Sequence, residues 1–162
     1  MKQLLIIRHA KSSWSTPGQN DFDRPLNERG QRDAPMMAKR LLDRKILIDT
    51  FVSSPANRAL TTASYFADAY RVAKAAIKTF PQLYHAPAAI FFEVISKIED
   101  GITTTAVFSH NPGITSFVNE LTTTTIDNMP TCAIFAIKAE CDHWKDFRSV
   151  KKTFWFFDYP KL

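Results

Sequence analysis

The 162-residue chain lacks several features that mark other classes of protein. Its two cysteines, Cys132 and Cys141, match neither a zinc-ligand spacing nor a redox pair motif, so both thiols are expected to be buried or half-buried. No apolar run approaches the ~20 residues of a membrane span, and Leu4–Ile7 is far too short for a signal-peptide core. We therefore expect a cytoplasmic protein that does not act at a membrane.

Clusters of basic residues are also missing, although the net charge is +5. No run of five or more basic residues occurs, and no nucleic-acid signature interleaves aromatic with basic side chains. The net charge is the only feature of the sequence that supports binding of nucleic acid. The positive charge favours anionic partners, and the expected partners are phosphorylated proteins or small phosphorylated metabolites.

Internal repeats and low-complexity linkers are absent as well, which favours a single domain over residues 1–162. Apolar residues make up 45% of the chain and charged residues 23%, as is ordinary for a globular protein. A domain of this size buries about two thirds of the surface of its unfolded chain, so it needs no disulfides for stability.

Strand-like and helix-like patterns alternate along the chain. Helices with apolar residues at 3.6-residue spacing follow Asn27, Pro55, Pro87 and Pro112. The expected strands are Lys2–His9, Thr50–Ser53, Ala76–Phe80, Thr104–Ser109, Thr131–Lys138 and Thr153–Tyr159. This alternation predicts an α/β fold, a three-layer α/β/α sandwich around a mainly parallel sheet, with the closing strand pair as an antiparallel edge.

Charged and polar residues stand where three of these strands end. The first strand ends in Arg8 and His9, Arg58 follows the second strand in the next helix, and His110 follows the fourth. Because an active site in such a sheet lies beyond the carboxyl ends of the strands, these residues are expected to meet. Each taken singly has an ordinary explanation as a solvated strand end, a salt-bridging helix residue or a turn residue.

Together, these residue types suit a phosphoryl group. Guanidinium groups donate two parallel hydrogen bonds to phosphate oxygens, and the N-termini of the following helices attract an anion. Neutral imidazole is a competent nucleophile at phosphorus, and neighbouring arginines disfavour its protonation. The second histidine can donate a hydrogen bond to the phosphoryl oxygens.

The motifs that contain these residues resemble those of the histidine phosphatase superfamily, the phosphoglycerate mutase-like group. The matching stretches are Arg8-His9-Ala10, DRPLNERG at Asp23–Gly30, SSPANRALTTA at Ser53–Ala63 and SHNPG at Ser109–Gly113. The short length, RHAKSSW at Arg8–Trp14, MPTCA at Met129–Ala133 and a late W-x-x-F resemble the SixA-type phosphohistidine phosphatases. The resemblance covers essentially the whole chain and implies the phosphoglycerate mutase-like fold.

The resemblance also implies roles for individual residues. His9 would accept the phosphate as nucleophile, Arg8 and Arg58 would clamp the phosphoryl oxygens, and His110 would complete the catalytic set. Arg24 and Asn111 would line the pocket as substrate-binding residues, although a role on the loop surface is an equal alternative for both. No metal or organic cofactor is implied.

Two departures from the family pattern bear on the expected chemistry. Ala10 replaces the usual glycine, which is tolerable if the backbone there is not left-handed. The segment Phe80–His85 holds no carboxylate, whereas many mutase and ester phosphatase relatives place a catalytic glutamate there. Other candidate acids are Asp21, Asp23, Glu93 and His85, the last of which also reads as a surface histidine.

The missing acid favours a phosphoamide substrate over a sugar phosphate. An alkoxide leaving group needs a positioned acid, whereas an imidazole with a pKa near ~6.5 departs with less help. The expected function is therefore a phosphatase with a covalent phosphohistidine intermediate that acts on protein phosphohistidine. The alternatives are a small-molecule phosphomonoesterase of the same superfamily and a non-catalytic phosphate-binding module.

Overall fold

The computed structural model describes all 162 residues as six strands and four helices, with short 3-10 turns between them. The strands are β1 (Lys2–Arg8), β2 (Thr50–Ser53), β3 (Lys78–Thr79), β4 (Thr104–Ser109), β5 (Ile134–Ala139) and β6 (Lys152–Asp158). The helices are α1 (Glu28–Asp43), α2 (Asn57–Ala69), α3 (Ala88–Ser96) and α4 (Gly113–Asn119). No helix has both the length and the hydropathy that crossing a membrane requires.

The six strands form one sheet in the order β3-β2-β4-β1-β5-β6. Strands β1 to β4 are parallel, and β5 runs antiparallel to both β1 and β6. The predicted α/β sandwich with a mainly parallel sheet and an antiparallel closing strand pair is confirmed.

Strand β1 is buried on both faces of the sheet, as its apolar sequence indicates. Leu4 and Ile6 belong to the core that includes α3 and α4, and Leu5 and Ile7 belong to the core that includes α1 and α2. This alternation follows from the two-residue period of a strand and places a helical layer on each side of the sheet.

Three local features differ from the predictions. The strand expected at Thr131–Lys138 begins only at Ile134, because a turn with Cys132 at a φ of 61° precedes it. The third strand is reduced to Lys78–Thr79, because 3-10 turns at Lys74–Ala76 and Pro81–Leu83 enclose it. Pro55 lies before Ala56, the residue that caps α2, and so stands outside the first turn of that helix. The predicted cap of α1 is confirmed, since Oδ1 of Asn27 accepts a 2.9 Å hydrogen bond from the Gly30 amide.

The register of the sheet brings the ends of three strands level with one another. Arg8 at the end of β1 pairs with Ser109 at the end of β4, and Ser53 at the end of β2 pairs with Phe108. The segments that follow these strands therefore emerge side by side at one edge of the sheet.

Candidate active site

The edge formed by the strand ends brings together the four residues predicted to be catalytic. Arg8 ends β1 and His9 follows it, Arg58 lies in the first turn of α2, and His110 follows β4. The rings of His9 and His110 are 5.3 Å apart between centroids, and both side chains are buried together with Arg58. Two imidazoles and two guanidinium groups thus share one site, in which Arg8 is half-buried and the other three residues are buried.

His9 is held in one tautomer by the backbone. Its Nδ1 lies 2.7 Å from the carbonyl oxygen of Ala10, and a carbonyl oxygen only accepts hydrogen bonds. Nδ1 therefore carries the proton, which leaves the lone pair of the neutral ring on Nε2. An imidazole nitrogen with a free lone pair is the form that can attack phosphorus.

The backbone around His9 is fixed by a threonine that the sequence did not single out. The Thr62 hydroxyl accepts a 2.9 Å hydrogen bond from the Ala10 amide and donates one of 2.7 Å to the Arg58 carbonyl. Thr62 thus joins the end of β1 to α2. Ala10 is not among the residues with positive φ, so its methyl group is accommodated without left-handed strain.

The two arginines each keep one buried nitrogen without a partner. Nη1 of Arg8 donates to the Met129 carbonyl at 2.8 Å, and Arg58 uses Nη1 and Nη2 to contact Asp21. The Nε atoms of both arginines are buried and form no hydrogen bond. An unpartnered buried donor is costly, so each Nε is available to a bound acceptor such as an oxyanion.

His110 is anchored at one ring nitrogen and free at the other. Its Nε2 lies 2.8 Å from the Ser54 hydroxyl, which also accepts a hydrogen bond from the Ala56 amide. Its Nδ1 is buried and has no partner. Ser54, which the sequence did not mark as functional, therefore sets the orientation of the second histidine.

Both histidines are neutral at physiological pH. Burial, reinforced by the positive charges of Arg8, Arg58 and Arg24, lowers the pKa of His9 to about 3. Burial and the neighbouring His9 and Arg58 lower the pKa of His110 to about 2. Each neutral ring keeps a proton on one nitrogen and a lone pair on the other.

Arg24 and Asp21 form a charged layer beside these four residues. The Arg24 side chain is buried, donates to the Ser12 hydroxyl at 2.5 Å and pairs with Asp21 at 3.0 Å. Burial tends to raise the pKa of Asp21, but hydrogen bonds from Tyr84, Arg58 and Arg24 outweigh it and hold this pKa well below its ordinary value. Asp21 is thus a carboxylate at neutral pH and has no proton to donate.

Asn111 lies at the site but uses its amide group for local structure. Its Nδ2 donates to Asn128 at 2.8 Å and to the Met129 carbonyl at 3.2 Å, while its Oδ1 accepts from Thr115 at 2.6 Å. Asn111 and His110 line a cavity of about 350 Å³, whose other walls are His85–Ala88, Pro112, Gly113 and Ser116. Arg8, His9 and Arg58 do not line this cavity.

The remaining candidate acids occupy different positions. Glu93 pairs with Lys97 on the exposed face of α3, and Asp23 is exposed beside the site. His85 is exposed at the rim of the cavity. Tyr84, which the sequence analysis passed over, donates to Oδ2 of Asp21 at 2.6 Å and lies edge-on to His110 at 5.6 Å between ring centroids.

Similar proteins share this architecture. The chain resembles a solved structure of the protein histidine phosphatase SixA complexed with tungstate, at a TM-score of 0.83 and 23% identity over 98% of this chain and 97% of that one. A mycobacterial glucosyl-3-phosphoglycerate phosphatase matches at a TM-score of 0.73 and 16% identity over 95% and 97% of the two chains. These likenesses concern the fold.

Sequence comparison gives the family. An uncharacterized chloroplastic protein of Arabidopsis thaliana is 28% identical over 153 residues, which cover 90% of this chain and 70% of that one. The family model described as the histidine phosphatase superfamily, branch 1, matches residues 4–84, and it supports phosphatase activity. The matched segment contains Arg8, His9, Arg24 and Arg58, and the chain belongs to the histidine phosphatase superfamily.

Proposed function

We propose that the protein hydrolyses phosphoryl groups through a covalent phosphohistidine formed on Nε2 of His9. The observation that carries this proposal is the state of the His9 ring. The ring is neutral, its Nδ1–H donates a hydrogen bond to the Ala10 carbonyl, and its Nε2 lone pair is free. The unpartnered Nε atoms of Arg8 and Arg58 support it, because they offer two donors to an oxyanion at the same site.

The reaction needs two displacements at phosphorus. In the first, the Nε2 lone pair of His9 bonds to phosphorus, and the bond to the leaving group breaks with its electron pair on the leaving atom. In the second, a water oxygen attacks phosphorus and the P–Nε2 bond breaks, so that the electron pair returns to His9. The protons of the water stay on the phosphate that leaves. Arg8, Arg58 and His110 stabilise the charge on the phosphoryl oxygens in both steps.

The proposed substrate is a phosphoamide, protein phosphohistidine in particular. A phosphoimidazole whose second nitrogen carries a proton departs as neutral imidazole, so the enzyme delivers no proton to it. An alkoxide needs a proton donor, yet Asp21 is held as a carboxylate and the rings of His9 and His110 are neutral. The site is therefore better matched to nitrogen-linked than to alkyl-linked phosphate.

The proposal is tested by measuring the hydrolysis of a phosphohistidine peptide by the parent protein and by two histidine variants. We expect His9→Ala to abolish turnover, and His143→Ala to leave it unchanged, because His143 is exposed and bonds to Asp100 away from the site. Equal rates for the parent protein and His9→Ala would refute the nucleophile assignment.

A small-molecule phosphomonoesterase is a second candidate. The cavity of about 350 Å³ beside His110 is large enough for part of a metabolite, and the similar fold of a glucosyl-3-phosphoglycerate phosphatase supports this reading. Relative kcat/KM values for phosphohistidine, sugar phosphates and nucleotides separate the two candidates. Phosphate binding without turnover of any donor would instead indicate a phosphate-binding module.

A further inference from the structure

The exposed aromatic side chains of this protein are confined to one place. The chain has 13 phenylalanines, three tryptophans and four tyrosines, but only Trp14 (74% exposed) and Phe22 (38% exposed) lie open to solvent. Both belong to the loop between β1 and α1, which also carries Asp21 and Arg24. We refer to Trp14 and Phe22 as the aromatic rim.

Each residue of the aromatic rim packs against a side chain that borders the site. The guanidinium of Arg24 stacks on the Trp14 ring at 3.5 Å, and the charge of Arg24 acts on His9. The ring of Phe22 packs edge-on against Tyr84 at 5.2 Å, and Tyr84 packs edge-on against His110 at 5.6 Å.

Core packing does not account for this placement. Trp14 belongs to neither hydrophobic core, and exposure of a large apolar ring to water is unfavourable. The Arg24 guanidinium stacks on the indole, yet Trp14 remains 74% exposed. Flat aromatic faces next to the side chains that border an anion site suit a ligand that is itself flat and apolar beyond its phosphate.

We propose that the aromatic rim binds the ring of the leaving group and so selects substrates whose phosphate is attached to a planar ring, a phosphoimidazole first among them. This inference rests on the proposed phosphatase function and deepens it, because it assigns the preference for the leaving group to residues outside the catalytic set. An alkyl chain offers less surface to a flat ring and gains less from the rim.

The test compares two substrates with the same bond type, phosphohistidine and phospholysine, in Trp14→Ala, Trp14→Phe and Phe22→Ala. Both substrates are phosphoamides, and for each of them the kcat/KM of the variant is divided by that of the parent protein. This ratio cancels the difference in reactivity between the two leaving groups. We expect Trp14→Ala and Phe22→Ala each to lower kcat/KM for phosphohistidine about fivefold and for phospholysine less than twofold, the size of one aromatic contact. Trp14→Phe should keep most of the kcat/KM of the parent protein for phosphohistidine.

Leu47→Ala is the matched control, because Leu47 is 77% exposed but precedes β2 at the opposite edge of the sheet. It should leave both substrates unaffected. If Trp14→Ala lowers kcat/KM equally for both substrates, the indole only positions Arg24. If it lowers kcat/KM for neither substrate, the aromatic rim takes no part in recognition. Either result overturns the inference.

A binding measurement keeps the inference testable if the protein does not turn over. Phenylphosphonate and methylphosphonate are not hydrolysed and differ only in the ring. Calorimetry should show that the parent protein binds phenylphosphonate several-fold more tightly, and that Trp14→Ala with Phe22→Ala abolishes this difference. Equal affinity of the parent protein for both ligands would overturn the role of the aromatic rim in binding a planar ring. Absence of turnover alone would refute only the proposed function.

Discussion

Asp21 and Arg58 are joined at two points. Nη1 of Arg58 donates to the backbone carbonyl of Asp21 at 2.7 Å, and Nη2 contacts its Oδ2 at 3.0 Å. The same carboxylate accepts hydrogen bonds from Arg24 and Tyr84. A single loop residue thus holds two guanidinium groups in place, and this explains why Asp21 acts as an anchor and not as an acid.

Removal of this anchor should weaken the reaction. We expect Asp21→Ala to lower kcat/KM at least tenfold, because one hydrogen bond to a charged group contributes about 1.5–3 kcal/mol, a factor of ten corresponds to about 1.4 kcal/mol, and two arginines lose their orientation. Asp23→Ala is the control, since Asp23 lies in the same 3-10 turn and its carboxylate forms no ion pair. Equal effects of the two variants in steady-state assays would contradict the anchoring role.

The start of α4 is packed too closely for any side chain larger than that of glycine. A Cβ atom on Gly113 would overlap the backbone of Ala86, in the segment that forms a wall of the cavity beside His110. We expect Gly113→Ala to lower the free energy of unfolding by about 1–3 kcal/mol, as overpacking typically does. Urea denaturation of the parent protein and of Gly113→Ala measures this difference in the free energy of unfolding.

Gly101→Ala serves as the control for that measurement. No atom lies within 4 Å of a Cβ at Gly101, and its φ is not positive. Its stability should match that of the parent protein. A stable Gly113→Ala protein would show that the Ala86 segment yields easily and does not fix the cavity wall.

The buried neutral histidines predict loss of stability toward acidic pH. Both have a pKa well below 6.5 in the folded protein, about 3 for His9 and about 2 for His110, so the unfolded chain takes up protons first as the pH falls. Stability from these groups is complete above pH ~6.5 and declines below it, by up to about 1.4 kcal/mol per pH unit for each histidine.

Denaturation between pH 7.5 and 5 tests this linkage, because carboxylates contribute little to the slope in that range. The variant His9→Gln should show a shallower decline than the parent protein, since one titrating group of the unfolded chain is gone. A steeper or unchanged slope in His9→Gln would mean that His9 is protonated in the folded protein near neutral pH.

Thr62 links the backbone next to His9 to that of Arg58, and its hydroxyl should matter for both stability and rate. Thr62→Val keeps the shape but leaves the buried Ala10 amide without a partner, which costs about 1–3 kcal/mol. Thr61→Val, which loses only an exposed bond to Asn57, should cost much less. The two variants are compared by thermal unfolding and by kcat.

The sequence predicts the sheet and the four central residues because both follow from short-range patterns. Alternation of strands with striped helices fixes the layers, and the carboxyl ends of neighbouring parallel strands meet by geometry. Arg8, His9, Arg58 and His110 were therefore expected to converge, and the register places them at one edge.

The supporting residues could not be found in this way. Thr62, Ser54 and Tyr84 act through tertiary contacts with backbone or side chains far away in sequence, and no periodicity marks them. The ion pairs of Asp21 with Arg24 and with Arg58 were likewise not predicted from the sequence. The third strand is shorter than predicted because 3-10 turns lie on both sides of it, and the apolar pattern of the sequence does not indicate them.

The most direct test of the account identifies the atom that carries phosphate during turnover. The protein is mixed with phosphohistidine peptide, quenched in base within milliseconds, and analysed by mass spectrometry and ³¹P NMR, which distinguish the two ring isomers. Because Nδ1 of His9 donates to the Ala10 carbonyl, phosphate should be found on Nε2 of His9. Phosphate on Nδ1 of His9 or on His110, or turnover without any phosphorylated histidine, would contradict the account.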